Sequence, residues 1–185
     1  MKLVWPSSEY LPGYASALER GWSADNLRGK AAADEELAKI AANSAAFLAS
    51  LVDCEGKGEP VTLPDDSTVA RLPGYRRWMW DGEFCGSIGF RWQRGTEELP
   101  PYCLGHIGYA VGPWKQRLGY DTQALRQLLA EAGAEGLRFV EITTEPENIA
   151  SRRVIEANGG KLLEQFTKPQ QFGGTPGLRY RIILS

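Results

Sequence analysis

Apolar residues recur along this chain with two different periods, and the periods change in a definite order. Leu3 to Trp5 is a short apolar run stopped by Pro6, which predicts a strand. Ser7 and Ser8 then offer caps for a helix whose one face carries Leu11, Tyr14, Ala15 and Leu18. Leu37, Ile40, Ala41, Leu48 and Leu51 repeat at helical spacing and predict a second helix over Asp34 to Leu51. Asp34, Glu35 and Glu36 then fall in its first turn, where the helix dipole favours negative charge.

The pattern then shifts to strands. Val61 to Leu63 and Val69 to Leu72 predict a small hairpin across Pro64-Asp65-Asp66. Tyr75 to Trp80 and Glu83 to Trp92, joined by Asp81-Gly82, predict an antiparallel hairpin with a two-residue turn. The alternating aromatics Trp78, Trp80, Phe90 and Trp92 on these strands read as sheet-face packing, with a substrate platform as the alternative. A polar loop leads into a strand over Gly105 to Val111, then a Gly-containing loop, then a helix striped by Ala124, Leu125, Leu128, Leu129 and Ala132. Phe139 to Thr144 is a strand, Ile149 to Ala157 a helix ended by Asn158-Gly159-Gly160, and Lys161 to Thr167 and Leu178 to Leu184 are closing strands. Helices and strands alternate only in the second half. The order predicts a three-layer α/β fold with a central mixed, mostly antiparallel sheet flanked by helices.

Composition narrows the function classes. A chain of 185 residues with 43% hydrophobic and 24% charged residues is expected to be one globular domain with a sizeable core. Residues 1–92 hold 10 basic and 13 acidic groups and residues 93–185 hold 11 and 10, so neither half is a nucleic-acid or anionic-membrane surface. Cys54, Cys85 and Cys103 lack CxxC spacing and His106 stands alone, which leaves no material for a disulfide framework or a metal site. Reduced thiols and the absence of a signal-peptide core or an 18-residue apolar run make a cytoplasmic protein the expectation.

The chemistry concentrates between Gly105 and Ala132. A helix entered through a Gly-containing loop presents unpaired N–H groups and the positive end of its dipole, which together suit a phosphate or pyrophosphate. Gly119 relieving a tight turn is the plainer alternative. His106 suits proton transfer near neutral pH or a structural role. Tyr109 reads as a third proton-transfer candidate or as a core or rim residue.

Val111-Gly112-Pro113, then Gln116-Arg117-Leu118-Gly119-Tyr120, then Thr122-Gln123-Ala124-Leu125 resembles the cofactor motif of the GNAT acetyltransferase superfamily. Asn148-Ile149-Ala150-Ser151, opening Arg152 to Gly160, resembles the segment that follows it in ribosomal-protein N-terminal acetyltransferases. Together, in this order and spacing, the two motifs are specific. The resemblance covers Tyr75 to Leu184 well and Leu3 to Leu51 more weakly.

The resemblance implies an N-acetyltransferase that moves the acetyl group of acetyl-CoA directly to an amine of a small molecule or a protein N-terminus, without a metal. It implies an acceptor-side half over residues 1–104 and a cofactor half over residues 105–185. Val111 would pair with the pantetheine arm, Gln116, Arg117, Leu118, Gly119, Tyr120, Asp121 and Thr122 would wrap the pyrophosphate, and Asn148 and Ser151 would lie beside the thioester. Glu141 is the first choice for the base, with a solvated or cross-strand charge as its plainer role. Nucleic acid and membrane are not expected partners, and pairing into a homodimer is compatible with the reading.

Two positions depart from the family pattern. Asp121 stands where Gly or Ala is usual, and two unit charges about 4 Å apart repel by about 1 kcal/mol in water and about 4 at a surface-like dielectric. Ile155 stands where many relatives have a proton-donating Tyr, so Ser151 inherits that role; Asn148 capping the helix, with Ser151 a first-turn residue, is compatible with it. These departures keep alive a non-catalytic acyl-CoA-binding or regulatory protein, and an interaction module without CoA. Tyr10, Tyr14 and Trp22, with the loop Gln93 to Cys103, would border the acceptor groove, and Glu9, Glu19, Glu97 and Glu98 would attract a cationic amine or be plain solvated surface.

Overall fold

The computed structural model describes residues 1–63 and 67–184. The chain runs β1 (Lys2–Val4), α1 (Leu11–Glu19), α2 (Lys30–Ser50), β2 (Val52–Asp53), β3 (Val61–Thr62), β4 (Thr68–Val69), β5 (Gly74–Trp80), β6 (Phe84–Arg91) and β7 (Ile107–Val111). It continues with α3 (Tyr120–Gly133), β8 (Phe139–Thr144), α4 (Ile149–Ala157), β9 (Lys161–Thr167) and β10 (Pro176–Ile183). The strands β3 and β4 pair as expected, while their turn, Pro64-Asp65-Asp66, lies outside the described residues.

Three layers result, as the alternation of the strands requires. Trp78 and Phe84 pack with Tyr14, Leu18 and Phe47 of α1 and α2. Met79, Ile88 and Phe90 pack with Leu125 and Leu128 of α3, Ile155 of α4 and Ile142 and Tyr180 beyond them. Trp78 and Met79 are adjacent in sequence and point to opposite cores, the period-two rule of a strand buried on both faces. Trp78, Phe90 and Trp92 are buried, so these aromatics are packing residues rather than a platform.

The central sheet is parted. One part has strand order β1-β5-β6-β7 with β2 beside β5, the other has order β8-β10-β9, and every ladder among the described residues is antiparallel. The parts touch where the His106 amide donates to the Glu141 carbonyl (2.8 Å) and the Glu141 amide donates to His106 Nδ1 (2.9 Å). Beyond that point no ladder joins β7 to β8, and a cleft opens.

Three local expectations change. The Ser7 and Ser8 side chains do not cap α1; the Ser7 carbonyl instead accepts the amides of Tyr10 and Leu11. Helix α2 begins a turn before Asp34, because Asp25 Oδ1 takes the amides of Leu27 and Arg28 and starts the turn, and because buried Ala32 and Ala33 supply an apolar face too small to stand out in the pattern. That helix is interrupted at Asn43 (φ −162°, ψ 93°), whose Oδ1 caps the following segment by accepting the Ala46 amide at 2.9 Å. The hairpin loop is Asp81-Gly82-Glu83 rather than two residues, since Trp80 pairs with Phe84 across a register shift, and Gly82 takes φ 117° within it.

Candidate active site

Where β7 and β8 diverge, two cavities meet. The larger, of about 460 Å³, lies against the loop before α3 and is lined by Val111, Gln116, Arg117, Gly119, Tyr120 and Asp121. The smaller, of about 230 Å³, lies on the sheet side and is lined by Asn26, Arg76, Ser87, Arg91, Thr143 and Glu145 among others. Both share Tyr109, Asn148 and Ser151, which therefore form the wall between them.

The loop is shaped by backbone as much as by side chains. Gly112 starts a short turn over Pro113–Lys115, Arg117 takes a left-handed φ of 64°, and Gly119 takes φ 70° as the residue that leads into α3. Gly119 suits that conformation without the strain a Cβ would add. The resulting first turn of α3 has amides without helical partners beside the larger cavity.

Side chains tie this loop to the hairpin. Lys115 Nζ reaches Asp81 (2.8 Å) and Glu83 (2.8 Å), and the Tyr120 hydroxyl donates to Asp81 Oδ2 at 2.7 Å. Burial alone would raise the Asp81 carboxyl, but hydrogen bonds from Lys115 and Tyr120 outweigh it and hold the group well below the usual carboxylate range. Lys115 is correspondingly raised by its bonds to Asp81 and Glu83. In the sequence pattern Asp81 reads only as a turn residue, and nothing local pairs it with a loop some thirty positions on.

Asp121 is half-buried, and its Oδ1 accepts the Thr122 amide at 2.8 Å. The carboxylate therefore occupies one of the donors that an anion at this helix end would use. Leu118 is exposed and absent from the cavity lining; Thr122 is half-buried and also absent from it, and its carbonyl accepts from Asn158 Nδ2 at 3.3 Å.

At the shared wall, Tyr109 Oη and Ser151 Oγ are 3.0 Å apart. Burial pushes the Tyr109 phenol up to about 12, offset in part by the bond to Ser151, so it stays protonated near neutral pH. Asn148 Oδ1 accepts the Ser151 amide at 3.0 Å and caps α4, which fixes the Ser151 side chain at the cavity. Capping and a place beside the cleft coexist because they use different atoms.

Two proton-transfer candidates fall elsewhere. The Glu141 carboxylate lines a different cavity, with Phe139, Phe166 and Pro169, and is held by Arg181 (2.6 Å) and Arg179 (3.2 Å). Paired with two guanidinium groups on β10 and turned from the cleft, it is a cross-strand ion pair and not a base for this site. His106 is fully buried, its Nδ1 already accepts a backbone amide, and desolvation lowers its pKa, so it is a neutral structural residue at the sheet junction. Ile155 is likewise core, with no surface at the cleft.

The expected acceptor wall also shifts. Tyr14 and Trp22 are buried in the α1–α2 core, and no residue of the loop Gln93 to Cys103 lines either cavity of the cleft, although Tyr102 and Cys103 line a neighbouring cavity of about 420 Å³. Glu97 and Glu98 line the cavity that Glu141 faces, and Glu97 pairs with Arg138 at 2.6 Å. Glu9 and Glu19 are exposed and outside the cleft. Among the described residues no His, Cys, Asp or Glu group is arranged to hold a metal, and no helix is long and apolar enough to cross a membrane.

Comparison with known proteins places this geometry. The acetyltransferase (GNAT) domain model matches residues 33–161. No curated protein sequence matches the chain. Among solved structures, the microcin C7 self-immunity acetyltransferase MccE, in complex with acetyl-CoA and AMP, superposes with a TM-score of 0.59 at 13% identity, covering 98% of this chain and 91% of that one. The acetyltransferase that modifies the N-terminal serine of ribosomal protein L7/L12 in Salmonella typhimurium gives a TM-score of 0.60 at 16% identity, covering 99% and 94%. The RimL ribosomal L7/L12 α-N-protein acetyltransferase in complex with coenzyme A gives 0.61 at 16%, covering 98% and 93%. At these identities the likeness is one of fold.

Proposed function

We infer the acceptor class and the residue roles on one premise: the chain belongs to the GNAT acetyltransferase family and is an acetyl-CoA-dependent N-acetyltransferase. The observation that carries the roles is the Tyr109–Ser151 pair standing between the two cavities. In this reading the larger cavity takes acetyl-CoA. Its diphosphate would lie over Gln116 to Tyr120 at the start of α3, and its arm along the free edge of β7 at Val111. The smaller cavity takes the amine. Residues 1–104 then form the acceptor half and residues 105–185 the cofactor half, in a cytoplasmic enzyme.

Ser151 Oγ serves as the proton donor to the departing thiolate, and Tyr109 holds and resupplies that hydroxyl. Such a donor is needed because a new N–C bond forms as the C–S bond breaks, leaving charge on sulfur. The amine must also lose a proton, and over one turnover that proton restores the Tyr109–Ser151 pair, so the net transfer is from the amine nitrogen to the CoA sulfur. The only carboxylate lining the smaller cavity among the described residues is Glu145, and its bond from Lys168 Nζ (2.7 Å) holds it low. A site without a strong base suits an amine that keeps an appreciable neutral fraction near pH 7. An α-amino group, with a pKa of about 7.7 to 8.0, meets that condition and a lysine side chain at about 10.4 does not. The preferred acceptor is therefore the α-amine of a peptide or a small amine of similarly low pKa.

Acetyl-CoA at about 100 times its dissociation constant should raise thermal stability by about 2.7 kcal/mol. Thiol release with a peptide α-amine should then exceed that with a lysine ε-amine at pH 7. Absence of both binding and turnover at millimolar acetyl-CoA would overturn the assignment.

A further inference from the structure

Two glycines face each other in the middle of the sheet where neither backbone nor packing calls for them. Gly89 of β6 pairs with Gly108 of β7 and, on its other side, with Arg76 of β5. Neither has a positive φ. A Cβ on Gly89 would meet nothing nearer than the Tyr75 carbonyl at 3.7 Å, and one on Gly108 would meet only Arg91 Nη2 at 3.4 Å. A Cβ is accommodated at both positions, and glycine inside a strand weakens it, which marks a surface kept bare for something that approaches closely.

The bare strip is the floor of a groove. Gly89, Arg76 and Arg91 line both the cavity beside Ser151 and a neighbouring one of about 420 Å³ that runs toward Lys39 and Arg71. The groove thus passes over the glycines and ends at Tyr109 and Ser151.

Its charges do not balance. Glu36 is engaged by Arg76 and Tyr14, Asp53 accepts the amides of Lys57 and Gly58, and Glu145 is engaged by Lys168. Every carboxylate that lines the groove among the described residues is therefore committed. Arg91, by contrast, has no partner for its guanidinium among the described residues, although its Nη2 lies over Gly108, next in sequence to Tyr109. Lys39 is likewise unpaired there. This is the reverse of an acid-lined groove built to attract a bare cation.

We propose that this groove is the acceptor site and that Arg91 selects amines carrying a carboxylate or phosphate, bound over the Gly89–Gly108 floor. The proposal rests on the assignment of amine attack to the Tyr109–Ser151 wall. Guanidinium is suited to such anions because it presents paired donors in a plane.

Matched acceptors of low amine pKa test it: a short peptide with Asp at its second position against the same peptide with Lys, and phosphoserine methyl ester against serine methyl ester. Binding to the CoA-loaded protein is read by calorimetry and transfer by thiol release. The anionic member of at least one pair should bind and react about tenfold better, and the pair that shows the preference tells a peptide from a small molecule. Arg91→Gln should collapse that ratio toward one and Arg91→Lys restore part of it, with acetyl-CoA affinity reporting that the fold is intact. Gly108→Val should raise the acceptor KM far more than it lowers kcat. No binding preference in either pair, or a preference that survives Arg91→Gln, overturns the proposal. Loss of acetyl-CoA binding in the parent protein would instead refute the family-based assignment.

Discussion

Asp121 turns its carboxylate onto the first turn of α3 and takes the Thr122 amide for itself. An incoming diphosphate must displace that bond and meet a like charge, so Asp121→Ala should tighten acetyl-CoA binding by several-fold to tens-fold, with about 1.4 kcal/mol for each factor of ten. Calorimetry checks this, and unchanged or weaker binding contradicts it. His106 makes a different prediction. Desolvation lowers its folded pKa below the unfolded value of about 6.5, so the unfolded chain binds more protons in the interval between the two. Its contribution is complete above about pH 6.5 and is lost as pH falls from there toward the folded pKa. Melting temperature should fall between pH 7.5 and 5.5, and His106→Gln should flatten that part of the profile. Residue type alone made His106 and Glu141 look like proton-transfer groups; what decided against them was contact with Glu141's own backbone and with Arg179 and Arg181, which no local pattern reveals.

The loop before α3 and the β5–β6 loop work as one unit. Asp81 accepts from both Lys115 and Tyr120, and with side chains only 13% and 16% exposed the Lys115–Asp81 pair is shielded enough to hold geometry. Asp81→Asn should weaken acetyl-CoA binding about fivefold, the equivalent of about 1 kcal/mol, although Asp81 lines neither cavity. An unchanged dissociation constant would show that the loop holds its shape unaided. Elements with strong periodicity were legible to the residue: β8, α4 and β9 run Phe139–Thr144, Ile149–Ala157 and Lys161–Thr167, as the pattern predicts. The break in α2 was not, because Asn43 lies among alanines whose helix propensity conceals an internal cap. The hairpin loop is one residue longer than the pattern predicts for a related reason: Asp-Gly signals a tight turn, but Asp81 is bound to Lys115 and Tyr120 and Glu83 leaves the ladder.

At the scale of the molecule, function follows from a sheet that comes apart. β7 and β8 share hydrogen bonds only near His106, and the space they leave is walled by Tyr109, Asn148 and Ser151. Motif order and spacing made the family legible, since the motifs concern consecutive residues of one loop and two helix starts. The groove proposed for the acceptor was not legible, because Arg76, Gly89, Gly108 and Arg91 come together only through strand register. The central claim is that acetyl transfer occurs at the Tyr109–Ser151 wall and not at Glu141. The turnover number for thiol release, measured under saturating acetyl-CoA and a peptide α-amine for the parent, Ser151→Ala and Glu141→Gln proteins, tests it most directly. Ser151→Ala should lower kcat by about 10² or more, the usual worth of a positioned proton donor, while Glu141→Gln keeps kcat near the parent value and lowers the melting temperature. A kcat abolished in Glu141→Gln and retained in Ser151→Ala would contradict the account.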